Sequence, residues 1–215
     1  MTTPLRGAAA LTAAVTLSIV LAACGDEATT DTAGGSAPAD QPTAAEQVEG
    51  SDNEADVMFA QGMIPHHRQA VAMSELALDR AEDPEVVALA EEISTAQEPE
   101  IQTMTAFLEA WDAEVPTDDL SMDDMAMEGM DQEGTGPEGM AGMMSPEDMA
   151  ELESAQGAKF DQMFLQMMIE HHEGAVSMAE TEVDEGENPA ALDLAQTIIV
   201  TQESEIERMQ GLLGS

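Results

Sequence analysis

From residue 51 onward, apolar side chains recur at helical rather than strand spacing. Phe59, Met63, His66, Ala70 and Met73 follow one another at steps of 4, 3, 4 and 3, which places them on one helical face. Ile101, Met104 and Leu108 mark the corresponding face of the next segment. Boundary signals divide the pattern. Ser51-Asp52-Asn53-Glu54 fits a capping box, predicting a first helix from Ser51 or Asp52 to about Arg80. Asp83-Pro84 supplies a cap and a first-turn proline for a second helix, to about Trp111. Ser145-Pro146 opens a short helix that Gly157 interrupts. A third long helix is expected from about Ala158 to Asp184, and Asn188-Pro189 opens the last, to about Leu213.

The same pattern occurs twice. Asp56-Val57-Met58-Phe59 returns as Asp161-Gln162-Met163-Phe164, and Met63-Ile64-Pro65-His66-His67 returns as Met168-Ile169-Glu170-His171-His172. The offset stays at 105 without a gap, through Pro84 and Pro189, Gln97-Glu98 and Gln202-Glu203, to Leu108 and Leu213; 24 of 53 aligned positions are identical. Chance helical similarity would match apolar classes, not His-His pairs, prolines and Gln-Glu pairs together. Each copy reads as a helical hairpin that would leave an apolar face uncovered on its own. Pairing the two buries all four faces. The predicted fold is therefore all-α, an antiparallel four-helix bundle with a pseudo-two-fold axis.

The flanks differ in kind. Residues 1–23 carry Arg6 and then an apolar run from Ala8 to Ala23, too short for a comfortable membrane span. The run ends in Leu21-Ala22-Ala23-Cys24-Gly25, which resembles a bacterial lipobox, so Cys24 is expected to be acylated after cleavage. As the only cysteine, it can form no intrachain disulfide. Residues 24–50 are rich in Ala, Thr, Asp, Gly and Pro and read as a disordered tether. The domain is expected over 51–215. Within it, residues 116–144 form a long acidic crossover without a helical apolar face. The formal charge of −40, from 45 acidic and 5 basic residues, excludes nucleic acid as a partner, since no basic patch can neutralise phosphates. It also makes an anionic membrane repulsive, leaving a lipid anchor as the expected membrane link. The abundance of Ala, Leu, Met, Glu and Gln favours helix, and four Phe with one Trp leave a core of small, flexible apolar side chains.

Histidine carries the chemistry. All four, His66, His67, His171 and His172, lie in the repeated signature, with Met63 and Met73 around the first pair and Met168 and Met178 around the second. Thioether and imidazole on one face suit a soft or borderline ion. Cu(I), with Ag(I) as an analogue, fits best: thioethers need no deprotonation, and neutral imidazole binds copper. Zinc would call for cysteine or more convergent histidine. The spacing leaves open which member of each pair faces the interior. A second, looser group is expected in the crossover, where Met122, Met125, Met127, Met130, Met140, Met143 and Met144 stand among Gly, Asp and Glu, with Met149 just beyond.

Met63-Ile64-Pro65-His66-His67 with Ala70-Val71-Ala72-Met73, and Met168-Ile169-Glu170-His171-His172-Glu173-Gly174-Ala175-Val176, closely resemble the domain-of-unknown-function family 305 over roughly residues 51–213. That resemblance implies an exported, ferritin-like four-helix bundle, with Met63, His66, His67, Met73, Met168, His171, His172 and Met178 as copper-binding candidates. The ferritin-like relation raises a di-iron oxidase as a rival, with the repeated Glu75, Glu180, Glu98 and Glu203 as carboxylates. The Glu-x-x-His motif of such sites is missing at both His pairs, where residues 63 and 168 are Met, which argues against iron. A metal-free envelope scaffold is the other alternative. With no nucleophile-base triad and no phosphate loop in view, the chain reads as a binder and not an enzyme.

Overall fold

The computed structural model describes residues 50–117 and 141–214. They form five helices: α1 (Glu54–Arg80), α2 (Pro84–Ala110), α3 (Pro146–Ser154), α4 (Ala158–Glu185) and α5 (Pro189–Leu213). The predicted boundaries hold to within a residue or two, except that Asn53 caps α1 in place of Ser51 or Asp52. Its side chain accepts from the Ala55 and Asp56 amides, and Asp56 reaches back to the Asn53 N–H to close the capping box. The Asn53 amide also donates to the Glu185 carbonyl at the end of α4. That contact belongs to the other hairpin, so local sequence could not show it.

Each three-residue connection folds its hairpin tightly, α1 on α2 and α4 on α5, and α1 then packs antiparallel against α4. No helix among the described residues is long and apolar enough to cross a membrane. The expected anchor at Cys24 and the rest of the expected leader and tether up to residue 49 lie outside the described residues, as do Met122, Met125, Met127, Met130 and Met140.

Reciprocal contacts tie the two hairpins at both ends. Asp56, at the start of α1, accepts from the backbone N–H groups of Glu187 and Asn188 in the α4–α5 turn. Its repeat mate Asp161, at the start of α4, accepts from Glu82 and Asp83 in the α1–α2 turn, 3.0 Å in each case. Each carboxylate thus satisfies the N-cap amide and the amide before it at the start of the partner hairpin's second helix, where the helix dipole also favours negative charge. Beside Asp56, the pseudo-symmetry breaks: Glu182, 1% exposed, stands where the first copy has Ala77. Burial first, and then the Asp56 carboxylate, push Glu182 up to about 8, so it keeps a proton to donate to Asp56. Burial alone would raise Asp56, but the bonds from Asn188, Asn53, Glu182 and Glu187 outweigh it and hold Asp56 below its ordinary value.

Candidate metal centre

The interior is two apolar clusters with a polar layer between them. One cluster holds Phe59, Ala60, Met63 and Ile64 of α1, Met104 and Leu108 of α2, Ala175 and Ala179 of α4, and Ala195 and Ile198 of α5. The other holds Ala70, Met73 and Ala77, then Val86 to Ile93, then Phe160 to Met168, and Met209. Every long helix places buried polar side chains between the two clusters: His66, His67 and Gln69 on α1, Gln97 on α2, His171 and His172 on α4, Gln202 on α5. An antiparallel α1–α4 pair brings the two His-His signatures to one level, so the repeat builds one shared histidine layer.

Within the layer, the members of each pair take different jobs. The rings of His66 and His171 face each other across the α1–α4 contact, with centroids 3.8 Å apart. His67 turns to α2, its Nε2 2.7 Å from Glu100 Oε2, and His172 turns to α5, its Nε2 2.8 Å from Glu205 Oε2. A carboxylate accepts, so in both cases Nε2 carries a proton, and in the neutral ring Nδ1 is the nitrogen with the lone pair. His66 Nε2 lies 3.2 Å from the Ala141 carbonyl, to which it donates. Burial, followed by the neighbouring His67, pushes His66 down to about 3, and burial with the His66 and His172 rings beside it holds His171 well below the ordinary range. Both facing imidazoles are therefore neutral at physiological pH, the form that ligates a metal.

This layer carries unpartnered polar atoms that a folded interior rarely tolerates. They are Nδ1 of all four histidines, Nε2 of His171, both amide atoms of Gln97, and Oε1 of Gln202. Imidazole lone pairs held by hydrogen bonds on the opposite ring nitrogen have the donor chemistry of metal ligands with their orienting partners in place. The residues present thus fit a metal ion.

Methionines line both sides of the layer and sort by level, not by hairpin. Met63, Met104 and Met178 belong to one cluster, and their repeat mates Met168, Met209 and Met73 to the other. Met63 and Met168 stand one turn from the histidines, about 5 Å along the axis, whereas Met73 and Met178 stand two turns away, roughly 10 Å. Glu75, Glu98, Glu180 and Glu203, the carboxylates a di-iron centre would need, are all exposed. Among the described residues, no group of three or more His, Cys, Asp or Glu side chains converges. Glu100, Glu205, Gln97 and Gln202 were missed as parts of the layer, although the 105-residue offset pairs each with its mate.

The crossover reading needs correction at its end. Met144 is buried in the Met73–Met168 cluster, not displayed on a loose loop, and Met143 is half-buried. Gln69 holds this segment in place, donating to the Met144 carbonyl at 2.9 Å and accepting from the Met144 N–H at 2.7 Å.

The family model described as "Domain of unknown function (DUF305)" matches residues 56–213. The chain belongs to the DUF305 family. Among solved DUF305 structures, a candidate secreted protein from Streptomyces coelicolor is 35% identical, with a TM-score of 0.63 over 74% of this chain and 92% of that one. A DUF305 fragment from Deinococcus radiodurans is 31% identical, with a TM-score of 0.63 over 77% and 99%. CopM in its Cu(I)-bound form is 32% identical, with a TM-score of 0.57 over 73% and 94%; CopM has also been solved with Cu(II) and with Ag. An uncharacterized protein, L153, of Acanthamoeba polyphaga mimivirus is 39% identical over 54 residues, and this chain covers 36% of its length.

Proposed function

We propose that this DUF305 protein is an exported lipoprotein that binds copper, as Cu(I) or its analogue Ag(I), in the mid-bundle histidine layer, for sequestration, tolerance or handover. The observation that carries the reading is the set of five unpartnered imidazole nitrogens enclosed between two methionine-bearing clusters. His66, His171, Met63 and Met168 are the central candidates. His67 and His172, turned to Glu100 and Glu205, add nitrogen donors elsewhere in the layer and do not converge with His66 and His171 on one point, and Met73 and Met178 extend the thioether supply outward. Soft sulfur and neutral nitrogen favour Cu(I) over harder ions, and the bound forms of CopM support copper and silver as the ions to test. The role is binding, not catalysis. The lipobox at Cys24 would tether the domain outside the cytoplasmic membrane.

Anaerobic Cu(I) competition against a chromogenic chelator tests this directly. Wild type is expected to hold Cu(I). A variant with His66, His67, His171 and His172 all changed to Ala should lose tight binding while staying helical. The double variant Met63→Leu, Met168→Leu should lose affinity for Cu(I) and Ag(I) and keep its stability, since Leu fills a similar volume. Tight Cu(I) binding that survives the four His substitutions would move the site elsewhere, and no binding in wild type would leave the metal-free scaffold as the function.

A further inference from the structure

The two halves of the histidine layer are related by the repeat, but the crossover meets them unequally. Residues 141–144 lie across the α1–α4 face. Gly142, at φ +80°, sits over the last carbonyls before the histidine turn of α4: a Cβ there would press on Glu170 O, His171 O and Gly174 Cα. A Cβ on Gly174 would overlap the Ala141 carbonyl. On the α1 side, Gln69 grips Met144 with two hydrogen bonds and His66 donates to Ala141. Gln69 and Gly174 are equivalent positions in the repeat, each three residues after the first histidine of its pair. One half supplies a double hydrogen bond and the other supplies space, so the segment can dock in only one orientation.

We propose that Gln69 and Gly174 are positioning residues that together seat residues 141–144 on the layer and so commit His66 to a single tautomer. With Nε2–H fixed on the Ala141 carbonyl, His66 offers a metal only its Nδ1. The crossover makes no hydrogen bond to the ring of His171, which lies instead against the His66 backbone. The layer is therefore unequal by construction: the crossover orients the imidazole on α1 and not the one on α4. This rests on the copper reading for its functional meaning, but the tautomer itself belongs to the metal-free protein.

The test uses the full chain labelled with ¹⁵N-histidine, and long-range ¹H–¹⁵N ring spectra at constant neutral pH without metal. Wild type is expected to show His66 as the Nε2–H form. Gln69→Leu removes both hydrogen bonds at similar volume, and Gly174→Ala fills the space; each should mix the His66 tautomers and leave His67 and His172, held by their own carboxylates, unchanged. Ag(I) and Cu(I) affinity should fall about tenfold or more in both variants, the range found for losing an orienting partner. An unchanged His66 spectrum in Gln69→Leu overturns the proposal, as does a gain in metal affinity, which would make the segment a block instead of a seat. Should wild type bind neither ion, the copper reading fails, and the His66 spectra still decide the seat.

Discussion

Replacing Glu182 with Gln should abolish a specific pH dependence of stability. In the native state this carboxyl stays protonated up to about pH 8, against an ordinary value of 4.5, because it is buried beside Asp56. Across that window the folded protein binds a proton that the unfolded chain has released, so this group lowers stability as pH rises. Asp56 acts in the opposite sense and in a lower range: its depressed value contributes stability above the ordinary carboxylate range that is lost as pH falls through the folded value. Each displaced pH unit is about 1.4 kcal/mol, which over the full window would give roughly 5 kcal/mol. Water entering at the bundle end when Glu182 ionises, and the damping of charge interactions near a surface, reduce this to roughly 2–3 kcal/mol. The Gln amide donates to Asp56 at every pH. Urea denaturation followed by far-ultraviolet circular dichroism should therefore find Glu182→Gln within about 0.5 kcal/mol of wild type at pH 5. By pH 9 the variant should be more stable by roughly 2–3 kcal/mol. Taking the difference between the two proteins cancels the repulsion of the other carboxylates. A difference that stays flat with pH, or grows toward acid, would refute the protonated-pair account.

Two further outcomes follow from the ends of the molecule. Asp161→Asn keeps the volume but weakens acceptance from the Glu82 and Asp83 amides; a loss of about 1–3 kcal/mol in urea denaturation is expected, with helix content unchanged. Cys24→Ala should move the mature protein from the membrane fraction to the soluble fraction on cell fractionation, and persistence in the membrane would remove the lipobox reading.

The helices were legible because the signals that set them are local: prolines after Asp83 and Asn188, the apolar stripe, and the break at Gly157. The repeat went further and gave the pairing of hairpins. Depth across the bundle was less accessible. Met73 follows His66 in sequence, yet it belongs with Met168, because level in an antiparallel pair depends on where the two helices cross. Met144 sits among Gly, Glu and Ser with no apolar period, so nothing nearby announces its burial; a glutamine on another helix puts it there. Gln97 and Gln202 were visible as a matched pair but gave no hint of facing inward, since their flanking glutamates, Glu98 and Glu203, are exposed.

The reciprocal ties between hairpins have an evolutionary consequence. Asp56 binds the far turn and Asp161 binds the near one in return, and His66 meets His171 across the axis. Mutual contact of this kind is how two identical subunits associate. The bundle has the anatomy of such a dimer made into one polypeptide by gene fusion. In a true dimer every substitution appears twice, so a Glu at 182 beside Asp56 would dictate a Glu at 77 at the Asp161 end, and a Gln at 69 would dictate a Gln at 174. A single chain is free of that constraint. It allowed one ancestral position to become a clamp in one half and an opening in the other, and so let a symmetric scaffold inherit a direction.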